Sequence, residues 1–264
     1  MLAAVAADAR FLQDSTFEAD YEVLLNPNPR GFVPIAFNRT IDSSGVSWEI
    51  GFSERDSAGD FNRAWVTIQK DLEGTLNIAL NDTYAAEGVY HVQHNWLGKP
   101  LRELWQRQVV LRRVSAGLPW EAVSLSPARI QSLDLVDGSR RRPRVVRVAL
   151  QGALADTTLS DFSTLFPIGE LISFAPGESL TITVETLDPD DVVSCANGYF
   201  PTLLEPRGDN TYVGRIAVRA TTGRANLAVS AVDHETIYDA AEPYHGDALL
   251  IPCRVVEPGG VAAP

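Results

Sequence analysis

The densest chemistry in the chain is a run of arginines, Arg140, Arg141, Arg142 and Arg144, with Arg147 close behind. A guanidinium is always charged and forks onto carboxylates or phosphates, so the run suits docking to an acidic surface or holding an oxyanion; a solvated hairpin tip is its plainer use. A second cluster is acidic, with Asp188, Asp190 and Asp191 around Pro189 and with Asp233 and Glu235 further on. Loop carboxylates are hard oxygen donors of the kind calcium takes, but the spacing lacks the glycine and alternation of a calcium loop. A solvated acidic turn is expected there, and no metal is assigned. Cys195 and Cys253 are too few for a structural zinc site. Both fall on strands that a third should separate, so free buried thiols are expected, a disulfide requiring a different register. His91 and His94 alternate to opposite faces of an extended run, which suits no metal, and His234 and His245 are expected in surface loops.

Nucleophile signatures are missing. The chain has no Gly-x-Ser-x-Gly elbow, phosphate-binding loop, dinucleotide fingerprint or His-Glu-x-x-His helix. Paired carboxylates for sugar hydrolysis need only meet in space, so a hydrolase stays open as a third class. Trp48, Trp65, Trp96, Trp105 and Trp120 all lie in the first half; exposed ones suit stacking on sugar rings, and core packing is their other use.

Composition narrows the partners. A net charge of −12 disfavours nucleic acid and anionic membrane surfaces, which attract clustered Lys and Arg. Lysine occurs only at Lys70 and Lys99, leaving arginine as the working cation. With 45% hydrophobic and 21% charged residues in a chain of 264, an ordinary globular protein with room for two cores is expected. No apolar run is long enough to span a membrane, and Asp8 and Arg10 interrupt the apolar start, so no export signal is read there.

The elements that must position these groups are strands. Short alternating runs are expected at 17–25, 32–37, 46–52, 64–69, 75–80, 89–94 and 108–114, with Lys99 to Gln106 a helical turn or a hairpin loop. Ala128 to Val136 and Pro143 to Gln151 read as a hairpin across Asp137-Gly138, and Leu159 to Leu165 as a short helix. Further on, Leu180 to Val184, Arg215 to Val218 and Ala225 to Ala231 alternate between turns, the spacing of an antiparallel sandwich.

Residues 75–92 resemble the segment joining strands E and F of immunoglobulin domains. Gly88 and Tyr90 match its Asp-x-Gly-x-Tyr-x-Cys pattern, whereas Ala86 and Val92 replace its Asp and Cys. The resemblance implies Tyr90 as a corner tyrosine and Trp48 as a core tryptophan. The second half resembles the immunoglobulin-like modules of phage virions and bacterial surface proteins, through Pro176-Gly177-Glu178, Tyr212-Val213-Gly214, Thr222-Gly223 and Ala231-Val232-Asp233. The expected fold is therefore all-β: an arm (1–16), a β-sandwich domain (17–118), a linking ribbon with a short helix (119–168), an immunoglobulin-like β-sandwich domain (169–257) and a tail (258–264). That resemblance implies a non-enzymatic structural protein of a phage or virus-like particle, in capsid decoration, tail or baseplate. Its contacts would be with its own copies and other structural proteins, through Arg140, Arg141, Arg142, Arg144 and Arg147. No cofactor, small-molecule substrate or membrane insertion is expected. The alternative is an extracellular or surface-bound adhesion or carbohydrate-binding module.

Overall fold

The computed structural model describes residues 18–19, 34–55, 59–86, 89–115, 117–133, 143–197 and 201–257, with backbone alone at 18–19, 35 and 81–94. The fold is all-β and holds two sheets. In chain order the strands begin with β1 (Glu18–Ala19), β2 (Pro34–Arg55), β3 (Phe61–Ala86), β4 (Val89–Arg112), β5 (Glu121–Leu125) and β6 (Ala128–Ser132). Then come β7 (Val145–Gln151), β8 (Asp156–Leu159), β9 (Phe166–Pro167), β10 (Ile172–Phe174), β11 (Ser179–Thr186) and β12 (Val192–Ala196). The last are β13 (Thr202–Leu203), β14 (Glu205–Gly208), β15 (Thr211–Ala217), β16 (Gly223–Val232) and β17 (Gly246–Val255), with a short helix α1 (His234–Tyr238) before β17.

The larger sheet runs β1-β2-β3-β4-β6-β17-β16-β12-β13, and the smaller β14-β15-β11-β7-β8. In the second half the two sheets face each other as a sandwich. Alternation does this locally: in β11, Leu180, Ile182, Val184 and Thr186 are buried, while the residues between them are exposed or half-buried. Their inward side meets Val193, Cys195, Leu227, Val229, Leu249 and Ile251 of the larger sheet in one core. A second core gathers Val66, Ile68 and Trp105 of the long strands with Ile130 and Leu250. A third joins Phe37, Leu76, Ile78 and Leu101 to Val232, Ile237 and Tyr244.

Several expected boundaries change. Residues 34–112 make three long strands rather than a series of short ones, β3 alone reaching about 85 Å at ~3.3 Å per residue. Lys99 to Gln106 is continuous strand within β4. Its inner positions alternate as Lys99, Leu101, Glu103, Trp105, Arg107, Val109 and Leu111, all buried, so charges at inner positions mask the period of two. The expected hairpin of 128–136 with 143–151 does not form, because β6 pairs with β4 and β17, whereas β7 enters the other sheet beside β11 and β8. Leu159 to Leu165 is not helical; β8 ends there in a turn. The helix lies instead at His234–Tyr238, where the Asp233 carboxylate accepts from the Glu235 amide as N-cap. The arm 1–16, the turn Asp137-Gly138 and the tail 258–264 lie outside the described residues.

Polar bridges seat the long strands on the rest of the molecule. The Glu103 carboxylate accepts from the Arg39 guanidinium of β2, both side chains nearly inaccessible, and from the Tyr244 hydroxyl at 2.6 Å. Burial, and then the Glu103 carboxylate, hold the Tyr244 phenol well above its ordinary value. Lys99 Nζ donates to the Asp239 and Glu242 carbonyls, each at 2.6 Å. Arg107 Nη2 donates to the Leu250 carbonyl at 2.8 Å and lies 3.3 Å from Asn226 Oδ1. Asp247 of β17 takes a two-pronged contact from Arg129 of β6 at 2.9 and 2.7 Å, and accepts the Val145 amide of β7 at 2.8 Å. That carboxylate adds a polar link between the two sheets to their shared apolar core.

Between the second and third cores the ribbon has a joint. The β2–β3 register shifts between Ile41 and Ser43, opposite Gly74, and a Cβ at Gly74 would stand 1.9 Å from the Thr40 carbonyl oxygen. Backbone cannot yield as a flexible side chain does. Gly74→Ala is therefore expected to lower stability by about 3 kcal/mol in urea unfolding, against less than ~1 kcal/mol for Gly45→Ala, whose Cβ meets nothing within 4 Å. Glu103→Ala leaves Arg39 buried without its carboxylate and should cost about 3–5 kcal/mol. Restoring neutrality with Arg39→Met in the same chain should recover part of that loss, and no recovery would show that the pair matters by shape alone.

Candidate functional site

Among the described residues, polar side chains converge on a cleft of about 340 Å³. Its walls are β4 at Gln106, Arg107 and Gln108, the turn and strand start at Ser126 and Arg129, the start of β7 at Arg144 to Val146, and the loop Ser160 to Ser163. Each wall is placed by pairing. β4 is held against β6 with Gln106 opposite Arg129, and β7 reaches the cleft because Asp247 captures the Val145 amide. The loop is shaped by Asp161, whose Oδ1 accepts from the Ser163 amide at 2.9 Å and its hydroxyl at 2.6 Å, while Oδ2 accepts from Thr164 at 3.2 Å. These bonds hold the Asp161 carboxyl below its ordinary value.

The cleft is cationic. Burial alone pulls the Arg107 guanidinium down to about 9, so it keeps its charge at neutral pH. Arg129 lies over the Phe162 ring at 5.9 Å while bound to Asp247. Arg144 is exposed, with no ion-pair partner among the described residues. Asp161 is the one carboxylate among the described lining residues, and no histidine stands beside a serine there. Ser126 is already engaged, accepting from the Gln108 amide and donating to the Pro127 carbonyl. This arrangement suits holding an anionic group by charge and fork geometry.

The five expected arginines divide. Arg144 lines the cleft, but Arg147 is exposed on β7 and pairs with Glu185 of β11, beyond a register shift that interrupts the alternation after Val145. Arg140, Arg141 and Arg142 lie outside the described residues. Arg107 and Arg129, which complete the cleft, carried no sequence signal: each sits alone in an alternating strand, and only the pairing of β4, β6 and β17 unites them.

Other candidates also find places. Cys195 and Cys253 are free and buried, on β12 and β17 with β16 between them. Burial raises both thiols, Cys253 to about 12, which makes them inert. Contrary to a surface position, His245 is buried, its amide donating to the Thr236 hydroxyl at 3.0 Å, while His234 stacks on Tyr238 at 4.2 Å. The side chains of His91 and His94 lie outside what is described. Of the acidic residues, Asp233 caps α1 and Asp188 accepts the Asp190 amide, and no group of three His, Cys, Asp or Glu among the described residues is placed to hold a metal.

Asp191 is the exception to solvation in that acidic turn. It is buried, and its Oδ2 has no hydrogen-bond partner among the described residues. Burial first, opposed by the Thr186 hydroxyl and reinforced by Asp188, Asp233 and Asp247, pushes its carboxyl up to about 7. The folded chain thus keeps this proton to a higher pH than the unfolded chain. Its contribution to stability is full below about pH 4 and is lost as the pH rises through about 7. Asp191→Asn should match wild type near pH 4 and exceed it by about 3 kcal/mol near pH 8, read from urea midpoints at each pH. An advantage that stays constant across that range would refute the assignment. No protein-family profile matches this chain, nor does any curated protein or solved structure.

Proposed function

We propose that the chain is a non-enzymatic structural protein of a phage or virus-like particle, a capsid decoration, tail or baseplate component that works by contacts with its own copies and other structural proteins. The observation that carries this reading is the tip of the β2–β3 hairpin. There Phe52 meets Phe61 at 5.3 Å and Trp120 at 6.2 Å. Arg55 lies 3.8 Å over Phe61, Arg63 5.1 Å over Trp65 and Arg113 5.0 Å over Trp120. Phe52 and Trp65 remain 49% and 40% exposed. Aromatic rings backed by arginine are the side chains that dominate protein–protein contacts, and here they cluster at one end of the long β2–β3 ladder.

The two-sheet core of the second half supports an immunoglobulin-like module there, the kind whose likeness to virion modules favours a particle over other assemblies. The acidic balance of −12 supports protein partners over nucleic acid. The carbohydrate-binding alternative needs a row of exposed rings. Trp65 and Trp96 are exposed, but from the rung Trp65↔Val110 to the rung Ala79↔Trp96 the ladder runs roughly 45 Å, and Trp105 is buried.

Purified wild-type protein should self-associate or co-sediment with particles. Phe52→Ser with Trp65→Ser should weaken that association at least about tenfold at any ionic strength, since each buried anchor is worth ~1–2 kcal/mol or more. Arg140→Ala, Arg141→Ala and Arg142→Ala together should weaken it mainly at low salt. A wild-type chain that stays monomeric at all concentrations and never co-sediments defeats the reading.

A further inference from the structure

Two guanidiniums reach the cleft in different states. On Arg129, Nε and Nη2 are spent on the Asp247 carboxylate at 2.9 and 2.7 Å, and that carboxylate is itself buried and held by the Val145 amide. The fork is thereby fixed in one orientation over the Phe162 ring, while Nη1 makes no hydrogen bond among the described residues. Arg144 lines the same cleft from the residue before β7. Its carbonyl accepts the Leu187 amide at 3.0 Å, which anchors its backbone. Its exposed guanidinium makes no hydrogen bond or ion pair among the described residues.

The other walls complete a site for negative charge. Gln106 lies opposite Arg129 in the β4–β6 ladder and Gln108 is its next neighbour on that face, so two exposed carboxamides stand on the side of β4 that Arg129 faces. Asp161 is the one carboxylate among the described lining residues. Both its oxygens are taken, by the Ser163 amide and hydroxyl and by the Thr164 hydroxyl, so it shapes its own loop and is not offered to a cation. Phe162, Pro127 and Val146 add apolar surface to the lining. A volume of about 340 Å³ lies at the lower end of the range for small-molecule pockets, ~300–1,000 Å³.

We propose that this cleft binds a small oxyanion, a carboxylate or phosphate carried on an apolar body, with Arg129 Nη1 and the Arg144 fork holding the charged oxygens, Gln106 and Gln108 the polar edge, and Phe162 with its apolar neighbours the body. Guanidinium forks match the geometry of both oxyanions. The proposal is independent of the particle reading, which rests on the aromatic tip of the β2–β3 hairpin.

Calorimetric titration of the full chain at low salt tests it, with phenyl phosphate, benzoate and inorganic phosphate as probes. Phenyl phosphate or benzoate should bind saturably with a Kd of about 1 mM or tighter, and the tighter of the two names the charged group. Inorganic phosphate should bind at least about tenfold more weakly than phenyl phosphate, because it buries no apolar surface; equal affinity overturns the assignment of the apolar wall. Arg144→Gln should weaken binding at least about tenfold and leave the urea midpoint of the unliganded chain unchanged. Arg147→Gln removes the same charge from β7, where Arg147 is paired with Glu185, and should bind as wild type does. Equal weakening in the two variants overturns the proposal, since it shows attraction to charge without a site. Saturable binding of none of these probes overturns it too, and binding confined to a short glutamate-rich peptide does so by assigning the cleft to a protein partner.

Discussion

Buried charge on the inner side of β4 constrains everything around it. Lys99, Glu103 and Arg107 alternate with Leu101, Trp105 and Val109 on one face, and each charge reaches a partner in a different segment. Lys99 needs the carbonyls after α1, Glu103 needs Arg39 and Tyr244, and Arg107 needs the Leu250 carbonyl. Apolar contacts alone tolerate sliding, but a buried ion without its partner costs several kcal/mol. A slip of one residue would also turn the whole set outward. The three long strands therefore have one seat on the sandwich, and the cleft exists because that seat brings Arg107 beside Arg129 and Arg144.

The two sheets depend on a similar device at smaller scale. Asp247 is held by Arg129 from its own sheet and by the Val145 amide from the other, and burial raises its carboxyl while those donors oppose the rise. Asp191 is also buried but lacks a comparable set, and burial first, then its acidic neighbours, push its carboxyl up to about 7. Two buried acids of the same sandwich thus sit in different surroundings, one among donors and the other beside acidic neighbours.

Strand content was legible wherever alternation was apolar. The runs around Leu180 to Val184 and Ala225 to Ala231 announce their strands, and both cysteines fall on strands separated by a third, as their positions suggest. Alternation fails as a guide where an inner position is charged or glycine. Lys70 and Gly74 divide β3 into two apparent strands, and Glu103 makes part of β4 look like a turn of helix. The pairing of β6 with β17 joins residues more than a hundred positions apart, and no local pattern reports it. Arg144 was visible as part of a basic run; Arg107 and Arg129 were not, since their meeting is a property of the sheet order.

The place of β17 in that order governs how the chain is made. It pairs with β16 on one side, β6 on the other and β10 in parallel, yet among the described residues it is the last strand in sequence. While the chain emerges during synthesis, the hairpins of β2, β3 and β4 can form from near neighbours, but β6 and β16 have no strand to join them until residues 246–255 arrive. Until that moment Arg107 lacks the Leu250 carbonyl to which it donates. Joining β6 to β16 is therefore a late event, and pairing between residues so far apart in sequence is intrinsically slow.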